Sequence, residues 1–117
     1  ARRDTNEKQS LSISALSTEI NLILDQIQNN LFKKAKKFLK LNIVNVKSTK
    51  EAEKAFKDNK IVFAPWCAVT ECEEKFKEKT SAKSLNTPLR KIKVAAGEKC
   101  FACKKKATTW FYFGKSY

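Results

Sequence analysis

The four cysteines constrain the fold of this chain most, because they fall into two close pairs. Four residues separate Cys67 from Cys72, two separate Cys100 from Cys103, and residues 73–99 lie between the pairs. Zinc takes four soft ligands in a tetrahedron, at about 2.3 Å from each thiolate sulfur. A two-residue spacer lets one tight turn aim Cys100 and Cys103 at a common point. The wider spacer suits a second side on which Cys67 follows a predicted strand and Cys72 falls in the first turn of a predicted helix. Backbone amides at a helix N-terminus favour the thiolate that zinc requires. With four protein ligands such a site is closed, so its role is structural and not catalytic.

Two other readings of the cysteines stay open on spacing alone. One is a pair of disulfides, with three possible connectivities. The other is a redox pair at Cys100-Phe101-Ala102-Cys103, although Lys104, Lys105 and Lys106 follow it and no strand-to-helix junction is predicted there. Lys104 also stands where many zinc knuckles place a glycine to make a left-handed turn. Histidine is absent, which removes His general bases, Ser-His and Cys-His nucleophile pairs and mixed Cys/His metal sites together.

The rest of the chain reads as helix first and mixed structure afterwards. Leu16, Ile20, Ile23, Leu24, Ile27, Leu31, Ala35, Phe38 and Leu39 recur at three- and four-residue steps, which predicts one long amphipathic helix over 15–42 with Ser14 as its N-cap. Glu19 and Asp25 in its first half and Lys33, Lys34, Lys36, Lys37 and Lys40 near its end follow the helix dipole. A short strand at Ile43–Val46 comes next. Ser48-Thr49-Lys50-Glu51 forms a capping box that opens a helix to Asp58, and Ile61–Ala64 is a buried-type strand ended by Pro65. A second capping box, Thr70 to Glu73, opens a helix to Lys79. Strands are expected around 84–86, 91–94 and 108–113, with Pro88 separating the first two. Trp110 and Tyr112 share one face of the last strand and Phe111 and Phe113 the other, so at least one face belongs to a core. The fold class is α+β: a long connector helix, then a small two-layer α/β domain with a mixed sheet.

Charge sets the class of partner. Lys and Arg number 25 against 12 Asp and Glu, a net +13 over 117 residues. A field of that sign attracts polyanions, nucleic acid above all, unless the lysines merely solvate the surface. The charge is spread along the chain, and the run Lys104-Lys105-Lys106 either touches phosphates or merely solvates a loop. Glu71, Glu73 and Glu74 sit in a predicted first helical turn, where the dipole already accounts for them. No apolar run approaches the ~20 residues of a membrane span, so no membrane partner is expected. Methionine is absent and Ala1-Arg2-Arg3-Asp4 opens the chain without an apolar stretch, which predicts a piece of a longer protein.

The motifs Phe63-Ala64-Pro65-Trp66-Cys67, Cys72-Glu73-Glu74, Ala82-Lys83-Ser84-Leu85, Lys99-Cys100 with Cys103, and Phe113-Gly114-Lys115-Ser116-Tyr117 occur in one order. Together they resemble the C-terminal region of prolyl-tRNA synthetase of the archaeal and eukaryotic type. Ala1-Arg2-Arg3-Asp4-Thr5 with Glu7-Lys8 resembles the last strand of the anticodon-binding domain in the same family. The resemblance implies that residues 1–14 end the anticodon-binding domain, 15–42 form the connector helix, and 43–117 are a zinc-binding domain. It implies a cytoplasmic class II synthetase that activates proline with ATP and Mg2+ and esterifies tRNA-Pro, as a homodimer, with every catalytic residue upstream. By the same resemblance Cys67, Cys72, Cys100 and Cys103 are the zinc ligands and the carboxylate of Tyr117 is directed toward the active site. Arg2, Arg3 and Lys8 lie on the segment that meets tRNA. Asn6, Ala68 and Lys104 stand where the family commonly carries glycine, and Thr87-Pro88-Leu89 replaces isoleucine-proline-phenylalanine. The competing readings are a free-standing basic zinc module that binds RNA without catalysis, and an interaction module docking through its long helix.

Overall fold

The computed structural model describes residues 1–115, which form two compact units, residues 1–41 and residues 42 onward. In the first unit a turn at the N-terminus is closed by the Asn6 N–H to the Arg2 carbonyl at 2.9 Å and the Arg2 N–H to the Glu7 carbonyl at 2.8 Å. The Arg2 guanidinium grips both carboxylate oxygens of Asp4 at 3.1 and 2.8 Å and donates to Gln26 at 2.7 Å. Asn30 adds a bond to Asp4 at 3.1 Å, so the turn is laid onto helix α1, Leu16–Asn42, by polar contacts.

A single turn of 3-10 helix, Ile13–Ala15, precedes α1. Ser14 is therefore not the N-cap. It lies inside that turn, its hydroxyl 3.3 Å from the hydroxyl of Ser12, while the Ser12 carbonyl accepts the Ala15 N–H. The apolar stripe runs the length of α1 as its period predicts, yet no residue of the helix is fully buried, and Leu24, Leu31 and Phe38 stand open.

The second unit is built on a four-stranded mixed sheet ordered β1-β2-β4-β3, with β1 at Ile43–Asn45, β2 at Ile61–Trp66, β3 at Ala82–Ser84 and β4 at Thr109–Lys115. β1 and β2 are parallel and joined through helix α2, Thr49–Lys57, while β4 runs antiparallel to both β2 and β3. Helix α3, Thr70–Thr80, connects β2 to β3. The expected α+β architecture with a mixed sheet is the one observed.

Alternation along the strands sorts the aromatic residues. Val62, Ala64 and Trp66 share a face of β2 with their β4 partners Phe113 and Phe111. Phe56 of α2, Phe76 of α3 and Phe101 close over that face, with the Phe101 and Phe113 rings 5.0 Å apart and Phe76 4.9 Å from Phe101. Each such ring contributes roughly 1.5–3 kcal/mol on leaving water. The opposite face carries a second, half-buried stack in which Phe63 lies 5.0 Å from Trp110 and 4.5 Å from Tyr112.

Three local expectations are corrected. Pro65 does not end β2, which continues through it to Trp66. The carbonyls of Phe63 and Pro65 both face away from β4, accepting from Val46 and Phe101 respectively. The missing N–H of Pro65 falls on that same side, past the end of β1, and costs no bond to β4. Thr70 is the first residue of α3 and not its cap, because Val69 holds the cap position and its carbonyl takes the Cys72 and Glu73 N–H groups. The Glu73 carboxylate instead accepts the Ser84 hydroxyl from β3. Residues 91–94 form no strand: pairing with β4 reaches Asn86, and Pro88, lacking an N–H, stops the ladder there. The first capping box does form, with Ser48 accepting the Glu51 N–H at 3.3 Å, but the Glu51 carboxylate reaches one residue further back, to the Lys47 N–H at 2.9 Å. The Lys47 N–H, and after it the Ser48 hydroxyl, hold the Glu51 carboxyl below its ordinary pKa.

Candidate metal centre

Three backbone devices bring the cysteines together. β2 ends at Trp66 and delivers Cys67, and Ala68 at φ 58° then reverses the chain into α3. The first turn of α3 supplies Cys72. Cys100 and Cys103 sit at the tip of a small hairpin closed by the Lys99–Lys106 bridge, the Ala107 N–H to the Glu98 carbonyl at 3.0 Å and the Cys100 N–H to the Lys105 carbonyl at 2.8 Å. Lys104, at φ 63°, donates its N–H back to the Cys100 carbonyl at 3.0 Å, which points both sulfurs the same way. Its ammonium also reaches the Lys47 carbonyl at 3.1 Å, tying the hairpin to the segment before α2.

The four Sγ atoms lie within 4.8 Å of one another. Cys67 and Cys103 are 3.6 Å apart and Cys72 and Cys100 4.0 Å. Bonds of about 2.3 Å in a tetrahedron place sulfurs about 3.8 Å apart, between those two separations. A disulfide requires about 2.05 Å, so no cysteine is paired covalently. Cys67, Cys72 and Cys100 are buried while Cys103 reaches the surface. This is the one cluster of three or more metal-ligating side chains among the described residues. An all-sulfur, closed, near-tetrahedral donor set fits zinc, or iron held by thiolates, and leaves no open position for a substrate.

The thiol energetics point the same way. Burial pushes the Cys67 and Cys72 thiols up, so the protein alone keeps them protonated. Burial also opposes ionisation of Cys103, but the Lys105 N–H and the neighbouring cysteines outweigh it and hold that thiol below its ordinary value. A divalent cation removes the conflict by drawing off the protons.

The other predicted positions lie elsewhere. Arg2 is committed to Asp4 and Gln26, whereas Arg3 and Lys8 are exposed. Arg2, Thr5, Glu7, Gln26, Asn30 and Lys33 line a broad groove of about 560 Å³ within the first unit. Tyr117 lies outside the described residues. Two features of the metal centre were not foreseen: the buried ring of Phe101 that seats the hairpin, and the lysines Lys75 and Lys105 that flank a small mouth of about 120 Å³ beside the sulfurs. The first was available in principle, since a phenylalanine between two clustered cysteines gains by leaving water.

A short mixed sheet with four converging cysteines beside its central strands defines a small α+β domain that could hold a metal ion, after a long helix in the sequence. The family model for "Prolyl-tRNA synthetase, C-terminal" matches residues 49–117, and the chain belongs to that family. Over its full length the chain is 37% identical to proline–tRNA ligase of Thermococcus kodakarensis, covering 25% of that protein. It is 33% identical over 99% of its length to the cytoplasmic proline–tRNA ligase of Arabidopsis thaliana, covering 23% of it. The crystal structure of prolyl-tRNA synthetase from Cryptosporidium parvum, complexed with L-proline and AMP, matches 98% of the chain with TM-score 0.92 at 37% identity, over 25% of that chain. The chain thus spans about a quarter of the length of the relatives it matches.

Proposed function

We propose that the chain is the C-terminal part of a cytoplasmic proline–tRNA ligase, the class II synthetase that activates proline with ATP and Mg2+ and charges tRNA-Pro, and that its second unit is a structural zinc domain supporting the catalytic domain. The observation that carries this reading is the convergence of four sulfurs inside a segment whose relatives are proline–tRNA ligases. Residues 1–14 then end the anticodon-binding domain and 15–42 are the connector helix. The long relatives leave ample chain for the catalytic domain, and the parent is proposed to be a homodimer.

Cys67, Cys72, Cys100 and Cys103 would hold the zinc, which supplies four bonds and no reaction chemistry. Those residues would join the end of β2, the start of α3 and the hairpin, adding to the Phe101–Phe76 ring contact and the Phe101 N–H bond to the Pro65 carbonyl. Tyr117 is assigned the role of directing its carboxylate toward the catalytic domain. Arg3 and Lys8, exposed and cationic, are better placed for tRNA phosphates than Arg2, whose guanidinium already has partners.

The test is proline-dependent ATP–pyrophosphate exchange by the full-length gene product, beside the chain alone. Exchange with proline and no other amino acid by the former, and none by the latter, supports the reading. A native product of about this chain's size, without exchange but with steeply salt-dependent RNA binding, replaces it with the free-standing module.

A further inference from the structure

The metal centre is not equally shielded on all sides. Cys100 is fully buried at 0% exposure and Cys67 and Cys72 are nearly so, whereas Cys103 lies on the exposed tip of its hairpin, followed by exposed Lys104, Lys105 and Lys106. The mouth of about 120 Å³ between α3 and the hairpin is lined by Cys67, Cys72, Cys103, Lys75 and Lys105, and Cys100 takes no part in it. A small oxidant entering there meets Cys103 first. Cys67, which lines the same mouth, has its sulfur 3.6 Å from that of Cys103.

We propose that Cys103 is an oxidation site for small hydroperoxides, with Cys67 as the resolving cysteine, and that a Cys67–Cys103 disulfide formed there opens the metal centre. The proposal rests on the zinc reading for its consequence, though not for its chemistry. The Cys103 sulfur attacks the peroxide: an S–O bond forms, the O–O bond breaks, and the other oxygen takes a proton and leaves as water from hydrogen peroxide, or as the alcohol from an organic hydroperoxide. The Cys67 sulfur then attacks the sulfenic sulfur, forming S–S and expelling the second oxygen as water. Two cysteines lose two electrons between them and one hydroperoxide is reduced by two.

The geometry favours this pair. Cys67 is buried and follows the central strand β2 directly, whereas Cys103 is exposed and lies beyond the buried Phe101 that anchors its hairpin, so closing 3.6 Å to about 2.05 Å asks more movement of Cys103 than of Cys67. Cys100, by contrast, is held between the Lys105 carbonyl and buried Phe101. Oxidation removes two of four ligands, and the remaining pair, Cys72 and Cys100, does not make a closed site. A thiol reductant restores both thiolates.

The experiment uses the purified chain, reduced and loaded with zinc, titrated with hydrogen peroxide. Released zinc is read with a chromogenic chelator, and at half release the free thiols are alkylated and the disulfides mapped on non-reduced peptides. The expected result is loss of one zinc per chain in step with a Cys67–Cys103 link, with Cys72 and Cys100 recovered as alkylated thiols, reversed by reductant and zinc. A Cys100–Cys103 link, oxidation of Cys72 or Cys100 ahead of Cys103, or zinc release with Cys103 still alkylatable overturns the proposal. A chain that takes up no zinc after full reduction defeats the zinc reading separately. The peroxide map on that metal-free chain still decides whether Cys103 and Cys67 form the reactive pair.

Discussion

The Phe101 N–H donates to the Pro65 carbonyl at 3.0 Å, so the residue between the second pair of cysteines is fastened to the strand that delivers the first. The same residue buries its ring against Phe76 and Phe113. One backbone bond and one side chain therefore set the distance between the two halves of the metal centre. Truncation by Phe101→Ala is expected to cost about 3–5 kcal/mol, the range for a buried phenylalanine, measured by chemical denaturation of the chain. The loss should exceed that of Tyr112→Ala on the half-buried opposite face. Equal losses would mean the hairpin is not seated through Phe101.

Metal removal tests the centre directly. Cys67 and Cys72 are held as thiols in the absence of a cation, so loading the reduced chain with zinc should release about two or more protons in weakly buffered solution at neutral pH. Zinc affinity should weaken as the pH falls, because protons and metal compete for the same sulfurs. Chelation should cost near-UV signal from Trp66 and leave the far-UV signal of α1 largely in place. Zinc binding without proton release would mean the thiolates pre-exist.

At three positions where the resemblance leads to an expectation of glycine, another residue adopts the left-handed backbone: Asn6 at φ 61°, Ala68 at φ 58° and Lys104 at φ 63°. The turns are kept, and the side chains bear strain of roughly 1–2 kcal/mol for an ordinary L-residue. Ala68→Gly should therefore raise stability by about 1 kcal/mol, seen as a shift in denaturation midpoint of the zinc-loaded chain. Asn6→Gly should gain less, since asparagine tolerates this region. Lys104→Gly should also gain less than Ala68→Gly, because it forfeits the bond from the Lys104 ammonium to the Lys47 carbonyl.

These three positions also show where the sequence stopped being legible. The long helix, the α+β class, the mixed sheet and the pairing of the cysteines could be read because each rests on a period or a spacing. Glycine, the usual marker of a left-handed turn, was missing at Asn6, Ala68 and Lys104, so their geometry could not be read from residue type. Pro65 misled for a related reason. Its missing N–H ends a strand only if a neighbour needs that bond, and the side it faces lies beyond β1. Thr70 and Glu73 matched a capping box in letters, but Val69 caps the helix and Glu73 is drawn across to Ser84, a contact made by the tertiary fold. Residues 91–94 alternate like a strand but find no place in the ladder beyond Pro88.

The Arg2–Asp4 pair makes the first unit sensitive to acid. Hydrogen bonds from the Arg2 guanidinium, then from Asn30, hold the Asp4 carboxyl well below the usual carboxylate range. Its folded pKa is depressed below the unfolded value of about 3.9, so its stabilising contribution is complete above that value. It is lost as the pH falls from there through the folded pKa, and no change is expected from it between pH 6 and 8, a window that lies above both values. Carbon-detected NMR titration of the Asp4 carboxyl should show it still ionised at pH 3, when an ordinary aspartate is mostly protonated. Arg2→Gln should move that midpoint up toward the ordinary value, and Asn30→Ala should move it less, since the charged donor contributes two bonds and the amide one. An unshifted midpoint in the wild-type chain would mean that the N-terminal turn does not rest on α1 in solution, and that Arg2 is as free as Arg3 and Lys8 to meet a phosphate.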